Sequence, residues 1–129
     1  MQPGIPLKKQ PKELPMTIER YLPEHRMSEA TIFNDTIYYT SVPENLDADA
    51  EAQTANALAT IDAVLTTLGS DKSRILDATI FLVEKSDFAA MNRAWDAWVS
   101  PGNAPVRCTV QAGLMNPGYK VEIKVIAAR

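Results

Sequence analysis

The sequence predicts an α+β fold, a sandwich in which two helices pack on one face of a mixed six-stranded sheet. Three observations predict it. Runs rich in β-branched and aromatic residues alternate with period two towards both ends of the chain, two central stretches carry apolar residues at three- and four-residue steps, and these segments come in the order β-β-β-α-β-α-β-β. Two helices cover one face of such a sheet, so the other face is bare in a single chain.

Residues 1–15 hold Pro3, Pro6, Pro11 and Pro15 among Lys8, Lys9 and Lys12. That composition prevents a helix and supplies few core side chains, so residues 1–15 read as a disordered N-terminal extension and 16–129 as a single domain. Residues 17–22 are expected as a first edge strand, ended by Pro23. Residues 30–33 and 36–40 flank Asn34-Asp35, a pair that tolerates positive φ, and predict a hairpin. Beyond Pro43 the chain turns to Ala, Glu and Gln, and Ala55, Leu58, Ile61, Leu65 and Leu68 mark an amphipathic helix over roughly residues 47–68. Asp47 or Asp49 suits its N-cap, and Gly69 suits the left-handed position after its end.

Residues 75–83 read as a buried central strand. A second helix opens at Ser86 or Asp87, buries Phe88, Met91, Trp95 and Trp98, and stops at Pro101-Gly102. Residues 105–111 and 119–125 are the last two strands. Paired with each other, they set Val106, Cys108 and Val110 with Tyr119, Val121, Ile123 and Val125 on the buried face. Arg107, Thr109 and Gln111 then lie beside Lys120, Glu122 and Lys124 on the bare one.

At 129 residues, with 46% hydrophobic and 22% charged residues, the chain is long enough to bury a core without disulfides or metal. It has no run of about 18 apolar residues, so no membrane partner is expected. A net charge of -3, with the basic residues scattered, argues against nucleic acid. One cysteine and no secretory-type apolar segment point to the cytoplasm, and one histidine disfavours a His-based metal site or a Ser-His-Asp triad.

Arg107 enters its strand two residues after Pro105. Its planar fork matches a carboxylate, which suits a clamp for a small organic acid, and equally suits an interface or surface ion pair. Glu122, flanked by valine and isoleucine, is a candidate general acid or base, or the balancing charge for Lys120, Lys124 or Arg107. Cys108 beside Arg107 invites a nucleophile, but strand parity turns it away, which favours a core thiol. Asn92 is a mediocre helix former within the second helix and points to a side-chain hydrogen bond.

Asp87-Phe88-Ala89-Ala90-Met91-Asn92, Pro105-Val106-Arg107-Cys108 and Lys120-Val121-Glu122-Ile123 together resemble the Rid family of 2-imino acid deaminases, also called the YjgF or RutC family. The likeness runs from Ser28 to Ala128. It implies a chorismate-mutase-like fold and a homotrimer with clefts between subunits. It also implies that Arg107 holds the carboxylate of a 2-imino acid, that Glu122 positions or activates the attacking water, and that Asn92 belongs to the cleft. No cofactor or metal is implied, because an imine carbon is already electrophilic. The expected partner is a small carboxylate-bearing imine or keto acid. The alternative is a carboxylate-binding or regulatory trimer without turnover.

The chain departs from the family pattern at three places. His25-Arg26-Met27-Ser28 replaces Gly-Pro-Tyr-Ser, so Met27 is expected to wall the cleft where an aromatic residue usually does, and Arg26 to add a cation near its mouth. Ser41-Val42-Pro43 lacks the glycine of Ser-Gly-Gln. Thr109 stands where a cysteine is common, two residues beyond the arginine, and is expected to line the substrate site.

Overall fold

The computed structural model describes residues 17–129; the extension expected over residues 1–15 lies outside them. The elements in chain order are β1 (Glu19–Pro23), β2 (Ser28–Phe33), β3 (Thr36–Ser41), α1 (Ala50–Thr67), β4 (Ile75–Leu82), α2 (Phe88–Trp98), β5 (Val106–Gln111) and β6 (Val121–Ala128). Local chemistry accounts for their boundaries. Asn34 and Asp35 take φ of 51° and 55°, the two positive values that a tight hairpin turn requires between β2 and β3. The Asp49 carboxylate caps α1 by accepting from the Ala52 amide at 2.9 Å. At the other end Gly69 turns at φ 85°, the Gly69 amide bonds the Thr66 carbonyl and the Ser70 amide bonds the Leu65 carbonyl, a Schellman motif.

The six strands form one sheet in the order β1-β2-β3-β6-β4-β5, antiparallel throughout except for the parallel pair β4 and β5. α1 and α2 cover one face. Leu58, Ile61 and Leu65 of α1 and Met91 and Trp95 of α2 pack there on Ile37, Tyr39, Ile80, Val121, Ile123 and Val125. Among the described residues no helix is long and apolar enough to cross a membrane.

The architecture is the predicted one, yet the last two strands do not pair with each other. β5 lies at the sheet edge against β4, and β6 sits in the middle between β3 and β4. The reason lies in the connections and the side chains. α2 carries the chain from β4 back over the sheet, and such a crossover delivers a parallel neighbour. β6 offers a fully buried row of Val121, Ile123, Val125 and Ala127, which belongs in the interior, whereas Val-Arg-Cys-Thr-Val-Gln suits an edge.

Register then reverses the expected faces of β5. Arg107, Thr109 and Gln111 stand opposite Ala78, Ile80 and Leu82, whose side chains are buried beneath the helices. They therefore occupy the covered face. Val106, Cys108 and Val110 fall on the bare one with Phe81 and Glu122, and all three are exposed. Cys108 is not a core thiol: its Sγ sits 3.8 Å from the Thr79 hydroxyl on that open face.

Smaller corrections follow from the same geometry. β4 is internal to the sheet but buried on one face only, and its Leu76 bulges outward, 52% exposed. Ala55 of α1 points to solvent, while Gln53, Thr54 and Ala57 take inward positions. Phe88, expected in the core, is 46% exposed at the first turn of α2.

Candidate functional site

Arg107 is half-buried at the edge of the covered face, beneath α2. Its Nη1 donates to the Asn92 Oδ1 at 2.8 Å, and its guanidinium carbon lies 5.2 Å from the centre of the Trp95 ring. The poor helix former in α2 thus has its polar contact, and the contact is the arginine. Trp95 is in turn fixed by burial and by Trp98, whose ring centre is 5.3 Å away and whose Nε1 donates to the Asp62 Oδ2 at 2.9 Å.

Both groups that hold Arg107 are neutral. An amide oxygen and an indole face orient a guanidinium without cancelling its charge, and among the described residues no carboxylate lies within ion-pair distance of it. A guanidinium carries five N–H donors, so most remain for an incoming anion. Thr109, one step along the same face, has its Oγ1 buried with no hydrogen-bond partner.

Glu122 belongs to a second group of residues. It lines a cavity of about 540 Å³ on the bare side of the sheet, together with Met27, Val42, Tyr119 and Lys124. The turn between β1 and β2 supplies Met27, which is 68% exposed. Arg26 beside it is exposed and does not reach the cavity wall. Tyr39 also borders the cavity. Burial raises its phenol above the ordinary 10.0, a Ser41 hydrogen bond opposes this, and the Glu29 carboxylate adds to it.

One wall of this cavity is tied in place by Gln53, fully buried in α1. Its Nε2 donates to the carbonyls of Leu46, Ala48 and Gly118 at 3.1, 3.3 and 3.0 Å, and its Oε1 accepts from the Lys120 amide at 2.8 Å. This one side chain staples the loop before α1 to the segment that leads into β6. Sequence reasoning passed over it, although a glutamine on the inward face of a helix was the available signal. Trp95 was read only as core; its contact with the guanidinium has no signature in residue spacing.

The residues expected to act together are therefore divided. Arg107, Asn92 and Thr109 gather on the covered face, Met27 and Glu122 on the bare one, and Arg26 joins neither. Glu122 lies in the cross-strand row Val110, Phe81, Glu122, two strands in from the edge. At about 4.8 Å per strand the lateral gap is roughly 10 Å, with the sheet itself between the side chains. The expectation that Arg107 and Glu122 share one face is incorrect, because β4 separates their strands and parity in β5 is set by β4.

The six-stranded mixed sheet with two helices on one face is the fold of the class to which this chain belongs. The family model described as Endoribonuclease L-PSP matches residues 17–129, and the chain is a member of that family. Relatives carry the RutC and YjgF names. RutC family protein YoaB of Escherichia coli strain K12 is 72% identical over 113 residues, covering 88% of this chain and 99% of that protein. A RutC family protein of Haemophilus influenzae is 46% identical over 114 residues, 87% of this chain and 98% of its own. The crystal structure of a YjgF family member from Neisseria meningitidis matches with a TM-score of 0.84 at 44% identity, covering 88% of this chain and 96% of that one. The family resemblance drawn from the three motifs is borne out.

Proposed function

We propose that this protein hydrolyses small 2-imino acids, or their enamine tautomers, to 2-oxo acids and ammonia in clefts shared between copies of a homotrimer. The observation that carries the reading is Arg107, held by neutral Asn92 and Trp95 with its charge uncancelled and its remaining donors free. A planar fork presented in this way binds a carboxylate through two parallel hydrogen bonds.

With the carboxylate fixed, the adjacent imine carbon is fixed too. Water adds through its oxygen to that carbon while the imine nitrogen gains a proton. The carbinolamine then loses its hydroxyl proton, the C–N bond breaks, and ammonia leaves with the 2-oxo acid. Glu122 serves as the group that orients the water, takes its proton and returns it to the nitrogen. The imine supplies its own electrophile, so the step calls for no cofactor.

The separation of Arg107 from Glu122 supports a shared cleft. A single chain presents them on opposite faces, so a substrate touching both needs the arginine of one copy and the glutamate of the next. The bare face supports assembly as well: Leu76, Val106, Val110 and Tyr38 are all exposed on the described chain and would be covered by a second sheet.

An amino-acid oxidase generating imines in a coupled assay tests the chemistry. Ammonia or 2-oxo acid should form faster than by spontaneous hydrolysis, and Arg107→Ala should return the rate to the spontaneous one. If wild type leaves that rate unchanged while 2-oxo acids raise the melting temperature through Arg107, the chain is a carboxylate-binding protein instead.

A further inference from the structure

We propose that Lys85 forms a distal acid subsite, so that the preferred ligand is a 2-imino or 2-oxo acid carrying a second carboxylate. The inference rests on the reading of Arg107 as the clamp for the first carboxylate. Along β5, Arg107, Thr109 and Gln111 follow one another on the covered face, in register with Ala78, Ile80 and Leu82. A cavity of about 460 Å³ opens one step along from Arg107, lined by Leu82, Lys85, Phe88, Thr109 and Gln111. Strand rise puts Thr109 roughly 7 Å and Gln111 roughly 13 Å from Arg107, measured along the backbone.

The opposite wall descends in parallel. Asn92 meets Arg107, and Phe88 and Lys85 stand four and then three residues before it, each about one helical turn further on. The chemistry of the lining changes with depth. Near the arginine, Thr109 lines the cavity, and its hydroxyl is buried without a hydrogen-bond partner. Phe88 then presents an exposed ring, suited to a short methylene chain. Beyond it, Lys85 is exposed, and among the described residues no carboxylate lies within ion-pair distance of it. Gln111 is tied to the Val83 carbonyl at 3.4 Å, which leaves Lys85 as the cation of this end.

A ligand that reaches from Arg107 into this cavity meets a cation, an apolar wall and a second cation in turn. That sequence of groups matches a diacid with methylenes between its acidic ends. Lys85 thereby takes the role expected of Arg26, which is exposed beside the cavity on the other side of the sheet.

Titration calorimetry on the full chain with 2-oxoglutarate and with 2-oxobutanoate tests the subsite. Wild type should bind 2-oxoglutarate about tenfold more tightly. Lys85→Met, an exposed substitution checked for unchanged melting temperature, should bring 2-oxoglutarate down to the level of 2-oxobutanoate and leave the latter unaltered. Arg107→Ala should abolish both. Equal affinities in wild type, or a Lys85→Met variant that keeps its preference for the diacid, would overturn the Lys85 subsite while Arg107 still held the monoacid. Binding of both acids that survives Arg107→Ala would remove the clamp and the subsite together.

Discussion

Arg107 and Glu122 stand on opposite faces of one sheet, with β4 between their strands. A cleft that uses both calls for a second copy of the chain, and each residue has its own surroundings. Arg107 is held by Asn92 and Trp95 on the covered face, and Glu122 lines a cavity with Met27 and Val42 on the bare one.

Asn92 positions the guanidinium, and its removal should be felt in binding more than in folding. Asn92→Ala is expected to weaken 2-oxo acid affinity by about tenfold, the worth of one hydrogen bond to a charged group, with a stability loss below about 1 kcal/mol. Trp95→Ala should behave differently, costing about 3–5 kcal/mol because a buried indole leaves a void. Titration calorimetry with 2-oxobutanoate and urea unfolding of the two variants separate these outcomes.

Gln53 should matter for stability out of proportion to its chemistry. Gln53→Ala leaves the carbonyls of Leu46, Ala48 and Gly118 and the Lys120 amide without their side-chain partner. The expected loss is about 2–4 kcal/mol by urea unfolding. A variant as stable as wild type would show that other groups satisfy these atoms.

Tyr39 makes the folded chain sensitive to alkali. Burial raises its pKa above 10.0, against the Ser41 hydrogen bond and with help from the Glu29 and Glu44 charges. The folded state therefore holds the phenolic proton more tightly than the unfolded state. Stability from this group is whole below about pH 10 and is lost as pH rises through the higher folded value. Tyr39→Phe should flatten the fall of melting temperature as pH rises above about 10. An unchanged slope would assign the loss to other groups.

Most of the architecture was legible because local chemistry dictates it. Asn34-Asp35 specified the hairpin, Asp49 and Gly69 bounded α1, and the apolar steps of Met91 and Trp95 oriented α2. What could not be read was partner choice. Alternation in residues 106–111 shows that alternate side chains share a face but not which face is covered, and that depends on the neighbour the α2 crossover delivers. The error about Cys108 and the misplacement of Arg107 are one error, since reversing the parity of β5 moves both. Arg107, Asn92 and Glu122 stand out by residue type and motif and Gln53 by its place on the inward face of α1, whereas Lys85 stands out only when the cavity walls are assembled in space.

Subunit complementation tests the shared cleft most directly. Arg107→Ala and Glu122→Gln chains, each expected to be inactive alone in the imine assay, are co-expressed with different tags and purified as mixed assemblies. If each cleft takes Arg107 from one copy and Glu122 from the next, random equal mixing makes half times half, or about a quarter, of the clefts fully wild type, and about a quarter of wild-type activity should return. Mixed assemblies as inactive as either parent would contradict the shared cleft.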